Sequence, residues 1–487
     1  MSVIVKNSKL TKTILMQAIV LSMGLGAIQA SNAGQLVQID QDLRQDLQTL
    51  ALSGAIDINT STWPLSSEVI ERALSQASPK TEYEHQLLQK IQQQITQTDQ
   101  SKLQIVTNIE GDKRAVVKGF EQAGNNVTPF GVSMSHAHAD NRLDYRIQAT
   151  YNAEDDEPSK QANFDGSYIG TKVGNHRVAF GSLPMWWGNG VDGSLIRSDV
   201  ARPVTGVLVQ RADPKPIDLP VLKKLGEVNY QITAGQLQGY EAVPNAKLIG
   251  TRVTVKPNAS LELGASRTMM WGGEGRDNSL KAFAKAFTGL KDNVYSGYDP
   301  ANHIAGFDVQ LNLQPKFNMP ASIYAELIGE DEAGGLPSKH AYLAGIKGLV
   351  PIKGKPWLWH AEWANTYYDF DKTNIMYGHS IYRDGYYQKG LPLGHPIGGD
   401  GEVVTVGLSG DINPQHRLGF SYTKAKVNQS NQTTNVAFPT AKTLDIANAD
   451  WQYRYNDKLT TKMGIWGQRD DADETDVGGK VTLTYQY

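Results

Sequence analysis

The sequence predicts an all-β transmembrane barrel of about 18 antiparallel strands, preceded by a small periplasmic α-helical bundle next to its mouth. Three observations predict this. Apolar and polar residues alternate with period two through most of the chain beyond residue 101. No stretch after the N-terminal segment holds ~18 continuous apolar residues, so a membrane location requires a closed sheet. Residues 480–487, KVTLTYQY, form an unbroken alternating strand in which Val481, Leu483, Tyr485 and Tyr487 share one face. Such a strand is expected to pair with the first strand, remove both edges, and be read by the barrel assembly machinery.

Each part follows in order. Residues 1–33 read as a secretory signal peptide, with Lys6, Lys9 and Lys12 before a mostly apolar core at 14–28 and a small-x-small site at Ser31-Asn32-Ala33. Cleavage is expected after Ala33, with Ala30 the alternative. The chain has no cysteine, so neither disulfides nor a lipidated N-terminus are expected. The formal net charge of -3 gives no sign of nucleic-acid binding. Residues 34–100 read as a helical module. Leu43, Leu47, Leu50 and Ala51 repeat at helical spacing before Gly54. Trp63-Pro64-Leu65 opens a second helix with Ser66 or Ser67 as its N-cap, and Leu87, Leu88, Ile91 and Ile95 mark a third.

The barrel occupies 101–487. Leu143, Tyr145, Ile147, Ala149 and Tyr151 alternate with Asp144, Arg146, Gln148 and Thr150. Phe307, Val309, Leu311 and Leu313 alternate with Asp308, Gln310 and Asn312, and Trp451, Tyr453 and Tyr455 with Gln452 and Arg454. One greasy and one charged face on long strands is what lipid outside and water inside demand. Connectors alternate as well. Those at 139–141, 173–176, 256–258, 314–318, 351–356, 411–415 and 456–458 are short. Those at 111–128, 183–203, 271–303, 369–401 and 426–442 are long. Residues 212–226 are Pro-rich and break the alternation. Short turns are expected on the periplasmic side and long loops outside.

Several composite motifs stand out: LRQDLQTL at 43–50 with TWPL at 62–65, WGNG at 187–190, LIRSDVARP at 195–203, GQL at 235–237, GTR at 250–252, and LELGASRT at 261–268 running into WGGEG at 271–275. Together they resemble the capsule assembly protein Wzi family of Gram-negative outer membranes, across roughly the whole mature chain. The chain departs from the family's pattern at Asp199-Val200. The resemblance implies a plugged 18-stranded outer-membrane barrel, and a non-enzymatic lectin that binds capsular polysaccharide and anchors it at the cell surface. It implies no cofactor. A substrate-specific porin for sugars or acidic solutes is the alternative, and it needs an open lumen.

Sugar recognition uses flat aromatic faces and forked polar groups. On the predicted outer side these are Trp186, Trp187, Arg197 and Arg202; Trp271, Glu274 and Arg276; and Tyr382, Arg383 and Asp384. The same residues also fit loops that simply fold over the mouth. A loop helix is expected with Leu280, Phe283, Ala284, Phe287 and Leu290 in one stripe, better suited to packing than to ligand binding. Lys281 and Lys285 lie off it and Lys291 just beyond. G-x-G-x-x-G at 188–193 lacks the strand and crossover of a dinucleotide site. His136 and His138 are expected to face outward at an interface, with no metal. Charges on the polar faces (Asp144, Arg252, Glu262, Asp308, Glu326, Lys347, Glu362, Arg454) would line a channel or pair across a filled lumen, and the pattern alone leaves both open. A monomer in contact with outer-membrane lipid is expected.

Overall fold

The computed structural model describes residues 34–97, 99–110, 130–140, 142–153, 162–288, 301–333, 336–368 and 376–487. The expected signal segment at 1–33, the connector at 111–128, Leu290 and Lys291 lie outside the described residues.

The helix signals act where spacing placed them. Helix α1 (Gln41–Ser53) begins at Asp40, whose carboxylate accepts from the Leu43 N–H at 2.9 Å. It ends on Gly54 at φ 80°, the left-handed cap that glycine adopts without a Cβ penalty. Helix α2 (Ser67–Ser75) has Ser66 as N-cap, but the Ser66 hydroxyl turns to Glu68 and Arg177 instead of the helix amides. Helix α3 (Glu82–Thr96) opens with a capping box: Thr81 accepts from the Glu84 N–H and Glu84 accepts from the Thr81 N–H. Leu43, Leu47, Leu50, Ile70, Leu87, Ile91 and Ile95 share one core beneath Trp63.

The barrel strands follow in chain order. They are β1 (Asp99–Glu110), β2 (Phe130–Ala139), β3 (Asp144–Asn152), β4 in two pieces (Ala162–Asn163 and Tyr168–Val173), β5 (His176–Ser182) and β6 (Thr205–Arg211). Next come β7 (Glu227–Gln236), β8 (Lys247–Asn258), β9 (Leu261–Trp271), β10 (Ala301–Asn312), β11 (Ala321–Ala333) and β12 (Leu336–Ile352). The last are β13 (Lys355–Asn365), β14 (Glu402–Asp411), β15 (His416–Val427), β16 (Lys442–Arg454), β17 (Leu459–Asp470) and β18 (Thr475–Gln486). Both pieces of β4 pair with β3, so the closed antiparallel sheet has 18 staves, as the alternation predicted.

Closure is made by the C-terminal strand. Val481, Leu483 and Tyr485 of β18 lie opposite Thr107, Ile105 and Leu103 of β1, and the Tyr487 N–H donates to the Ser101 carbonyl at 3.1 Å. No edge is left to template aggregation. Period two sets which residues face lipid: on β10, Phe307 is 58% exposed outward while Asp308, its neighbour, is 7% exposed inward. Aromatic residues line an arc of the outer wall at the end that carries the short turns. Tyr485 stacks near Tyr487, and Trp451, Tyr453 and Tyr455 continue from His416. His136 and His138 join it on either side of Tyr145, at ring separations of 5.9 and 5.7 Å.

The module sits inside this cylinder and is bolted to one side of it. Arg417 of β15 donates to Asp46 of α1 at 2.5 Å and to Asp411 at 2.7 Å. Arg177 of β5 holds Glu68 of α2 at 2.8 Å, and Lys172 of β4 adds a contact at 2.9 Å. Burial alone would raise the Glu68 pKa, but the Arg177 charge and the Ser66 hydrogen bond bring it down to about 2. Arg252 of β8 reaches Thr62 at 2.8 Å, and Gln231 of β7 donates to the Pro64 carbonyl at 3.0 Å.

Candidate functional site at the capped outer mouth

The long connector between β5 and β6 does not stay outside. Residues 186–187 pair antiparallel with residues 62–63, so this connector meets the N-terminal helical module within the lumen. Trp186 is fully buried in the module's core, with the Arg44 guanidinium 4.8 Å from its ring. Arg44 also donates to the carbonyls of Gly190 and Val191. Burial lowers its pKa to about 10, with the Glu362 charge opposing that fall.

The G-x-G-x-x-G stretch finds its purpose here. Its amides point at the protein's own carboxylates. Val191, Asp192 and Gly193 donate to Glu362 of β13 at 2.5, 3.1 and 2.9 Å. Gly190 and Leu195 donate to Glu326 of β11 at 3.2 and 2.9 Å. Asn189 reaches Asp308, which Arg252 grips with two nitrogens at 2.6 and 3.0 Å. A Cβ at Gly193 would strike the His395 ring, and one at Gly190 the Gly193 carbonyl, so both glycines are needed for close approach. A run of backbone N–H groups makes an anion nest, here filled from the barrel wall.

A second layer closes over the first. Residues 376–401 lie across the mouth and fasten to it through tyrosine hydroxyls. Tyr377 donates to the Leu195 carbonyl at 2.5 Å and Tyr386 to the Ile196 carbonyl at 3.0 Å. Tyr382 donates to the Gly272 carbonyl at 3.1 Å. Tyr240 reaches the carbonyls of Tyr382 and Gly385 at 3.0 and 2.9 Å. Burial pushes Tyr377 and Tyr386 above the usual phenol range, so each remains a donor. Burial also takes His395 down to about 3 and keeps its ring neutral.

The predicted sugar-facing residues separate into two groups. Trp186, Trp187, Arg197 and Arg202 were expected outside, and that placement is corrected: all four are buried within the lumen. Trp187 donates to Gln231 at 2.6 Å, and Arg202 donates to Asp165 at 2.6 and 3.2 Å. The cause is the nest, which draws the loop inward toward carboxylates that no local pattern connects to it. Trp271 is corrected too. It sits on the outward wall of β9, packed edge-on at 5.2 Å against Phe283 of the loop helix α4 (Leu280–Thr288). That helix buries Ala282 and Ala286 on the wall, while Leu280 of the expected stripe is 84% exposed.

The remaining residues come together. Arg276 lies over the Tyr382 ring at 5.8 Å. Asp384 accepts from the N–H groups of Glu241 and Ala242 at 2.5 and 3.0 Å. Glu274 accepts from Asn245 at 2.6 Å, and Arg383 is exposed beside Asp384. Three loops thus bring Glu274, Arg276, Arg383 and Asp384 together over Tyr382, whose expected sugar-facing role is corrected: it is fully buried beneath Arg276 and offers no open ring face. Sequence reading missed Glu241 and Asn245, on a short connector at 237–246 that carried no composite signal.

The family model of capsule assembly protein Wzi matches residues 114–480. The chain belongs to the Wzi capsule assembly family. It is 38% identical over 465 residues to a 55.8 kDa protein in the cps region of Klebsiella pneumoniae, covering 94% of this chain and 90% of that one. Among solved structures it superposes with TM-score 0.84, at 35% identity, on Wzi of Escherichia coli, covering 92% of this chain and 99% of that one. That protein is described as an outer-membrane carbohydrate-binding β-barrel involved in group 1 capsule assembly. This Wzi-family barrel is likewise an outer-membrane protein, and its 18-stave cylinder is the family's fold.

Proposed function

We propose that this barrel binds capsular polysaccharide at the cell surface and anchors it there, as a monomer and without chemical turnover. The observation that carries the reading is the assembled outer patch: Glu274, Arg276, Arg383 and Asp384 meet above Tyr382 although they come from separate connectors. Guanidiniums and carboxylates on a fixed floor suit hydroxyl and carboxylate groups of a glycan. The E. coli relative's carbohydrate binding supports the same class of ligand. Holding fits better than conducting, because the module, the nest-bound loop and the tyrosine cap all cross the lumen. The C-terminal strand, with Val481, Leu483, Tyr485 and Tyr487, is proposed as the segment read by the assembly machinery.

The test is deletion of the protein, followed by measurement of cell-bound and released capsule. The expected outcome is capsule released to the medium at unchanged total synthesis, restored by wild-type protein and not by Arg276→Ala/Arg383→Ala. Unchanged retention in the deletion strain would overturn the reading.

A further inference from the structure

The helical module fills only part of the lumen. From β4 to β15 it is fastened to the wall through ion pairs and hydrogen bonds. From β16 through β18 and on to β3 it meets the wall at few points, among them Lys462 of β17 with Asp42 of α1 at 3.4 Å and Asp144 of β3 with the Leu36 N–H at 2.7 Å, and a cavity of about 1190 Å³ lies between α3 and the wall. The cavity's rim is built from periplasmic turns, including residues 353–355 and 413–415. Its outer end is shut by Pro184, Asp199, Pro203 and Arg202, the last tied to Asp165.

The chemistry of this slot differs from that of the rest of the lumen. Twelve of its 48 lining residues are glutamines, on both facing sides. Gln89 and Gln93 project from α3 and their side-chain amides bond to no other described residue. Gln104, Gln148 and Gln452 face them from β1, β3 and β16. Lining cations and anions number eight and seven, so charge selects little. Each primary amide offers two donors and one carbonyl acceptor, the complement of a hydroxyl that both gives and takes a hydrogen bond. The volume exceeds the ~300–1,000 Å³ of ordinary small-molecule pockets, which leaves room for several linked rings.

We propose that this slot is a second glycan site, entered from the periplasm, that takes a hydroxyl-rich oligosaccharide segment. It is separate from the outer patch and shares only the ligand class with the function proposed above.

The chain has no cysteine, so a single introduced thiol reports on one place. The test uses the full-length protein in detergent with Gln89→Cys as slot reporter and Ser380→Cys as outer reporter, Ser380 being exposed beside Arg383, whose Nε donates to its carbonyl at 3.3 Å. Each is treated with a charged methanethiosulfonate reagent, with and without oligosaccharides made by partial hydrolysis of the producing strain's capsule. Modification of Gln89→Cys is expected to slow about tenfold at nine-tenths occupancy. Adding Gln93→Trp and Gln148→Trp, which fill the slot, should abolish that protection while heat-modifiable gel migration shows the barrel intact. Equal rates at Gln89→Cys with and without oligosaccharide overturn the slot, and so does protection that survives the two tryptophans. If only Ser380→Cys is protected, the slot is wrong and the outer site stands. If only Gln89→Cys is protected, the reverse holds, and protection of neither overturns both.

Discussion

The two halves of the lumen are made by the same barrel and the same alternation, yet they hold different things. Along β7–β13 the inner wall carries Arg252, Glu262, Asp308, Glu326, Lys347 and Glu362, all buried, and each meets the module or the nest-bound loop directly or through a neighbour on the wall. From β16 round to β3 the cavity wall carries mainly amides and hydroxyls, with Lys102, Arg146, Arg454 and Lys462 among them, and a cavity lies between that wall and the plug. Buried charge is tolerated only where a partner is fixed close by, because desolvation of an unpaired ion costs several kcal/mol. Amides and hydroxyls bear water or exchange it readily. The charged half is therefore the half that must stay filled, and the amide half is the half that can stay open.

The contrast can be broken most severely at Arg252. Arg252→Ala leaves Asp308 buried without its bidentate partner, and a loss of about 3–5 kcal/mol is expected. Gln93→Ala, on the exposed face of α3 toward the open half, should change stability by about 0.5 kcal/mol or less. Chemical denaturation of the detergent-solubilised protein, read by heat-modifiable migration, compares the two.

Acid should attack the filled half next. Glu68 titrates at about 2 in the folded protein against 4.5 for a free glutamate. The stabilisation is thus fully present above pH 4.5 and is lost as pH falls through about 2, amounting to roughly 2–3 kcal/mol after allowance for its partial exposure. Protease protection of the module between pH 5 and 2 measures this, and Glu68→Gln should flatten the profile. Asp46, whose pKa is lowered because Arg417 and Lys90 outweigh its burial, acts in the same direction.

Glu362→Ala sharpens the comparison more locally. It removes the acceptor of three loop amides, and about 1–3 kcal/mol is expected for the groups left unsatisfied. Single-channel recordings in a planar bilayer should show larger or more frequent openings than wild type, because the loop crosses the lumen at that level. The smallest effect on folding belongs to Arg276→Ala/Arg383→Ala. Both residues are surface groups, so stability should move by about 0.5 kcal/mol or less while capsule binding falls.

Legibility tracked periodicity. Leu43, Leu47 and Leu50, the Gly54 cap, the outward rows on β10 and β16, and the pairing of Val481, Leu483 and Tyr485 with β1 could all be read because each depends on residues near in sequence. Trp186 and Trp187 could not be placed, since a connector's length says that it is a loop but not that it turns inward. The nest gave one faint signal, glycines at 188, 190 and 193, whose partners Glu326 and Glu362 lie more than 130 residues away. The open slot left a trace in the glutamines of α3, but amide composition alone does not distinguish a solvated helix face from the wall of a cavity.

By itself the sequence determined the cylinder, its closure and the facing of each strand residue, because a barrel in lipid must pair every backbone group and alternate its side chains. Only the tertiary structure decided what stands inside: which inward charges meet the plug, which loop descends to them, and which arc of wall is left bare. Alternation reports inside against outside, and it carries no information about what the inside contains.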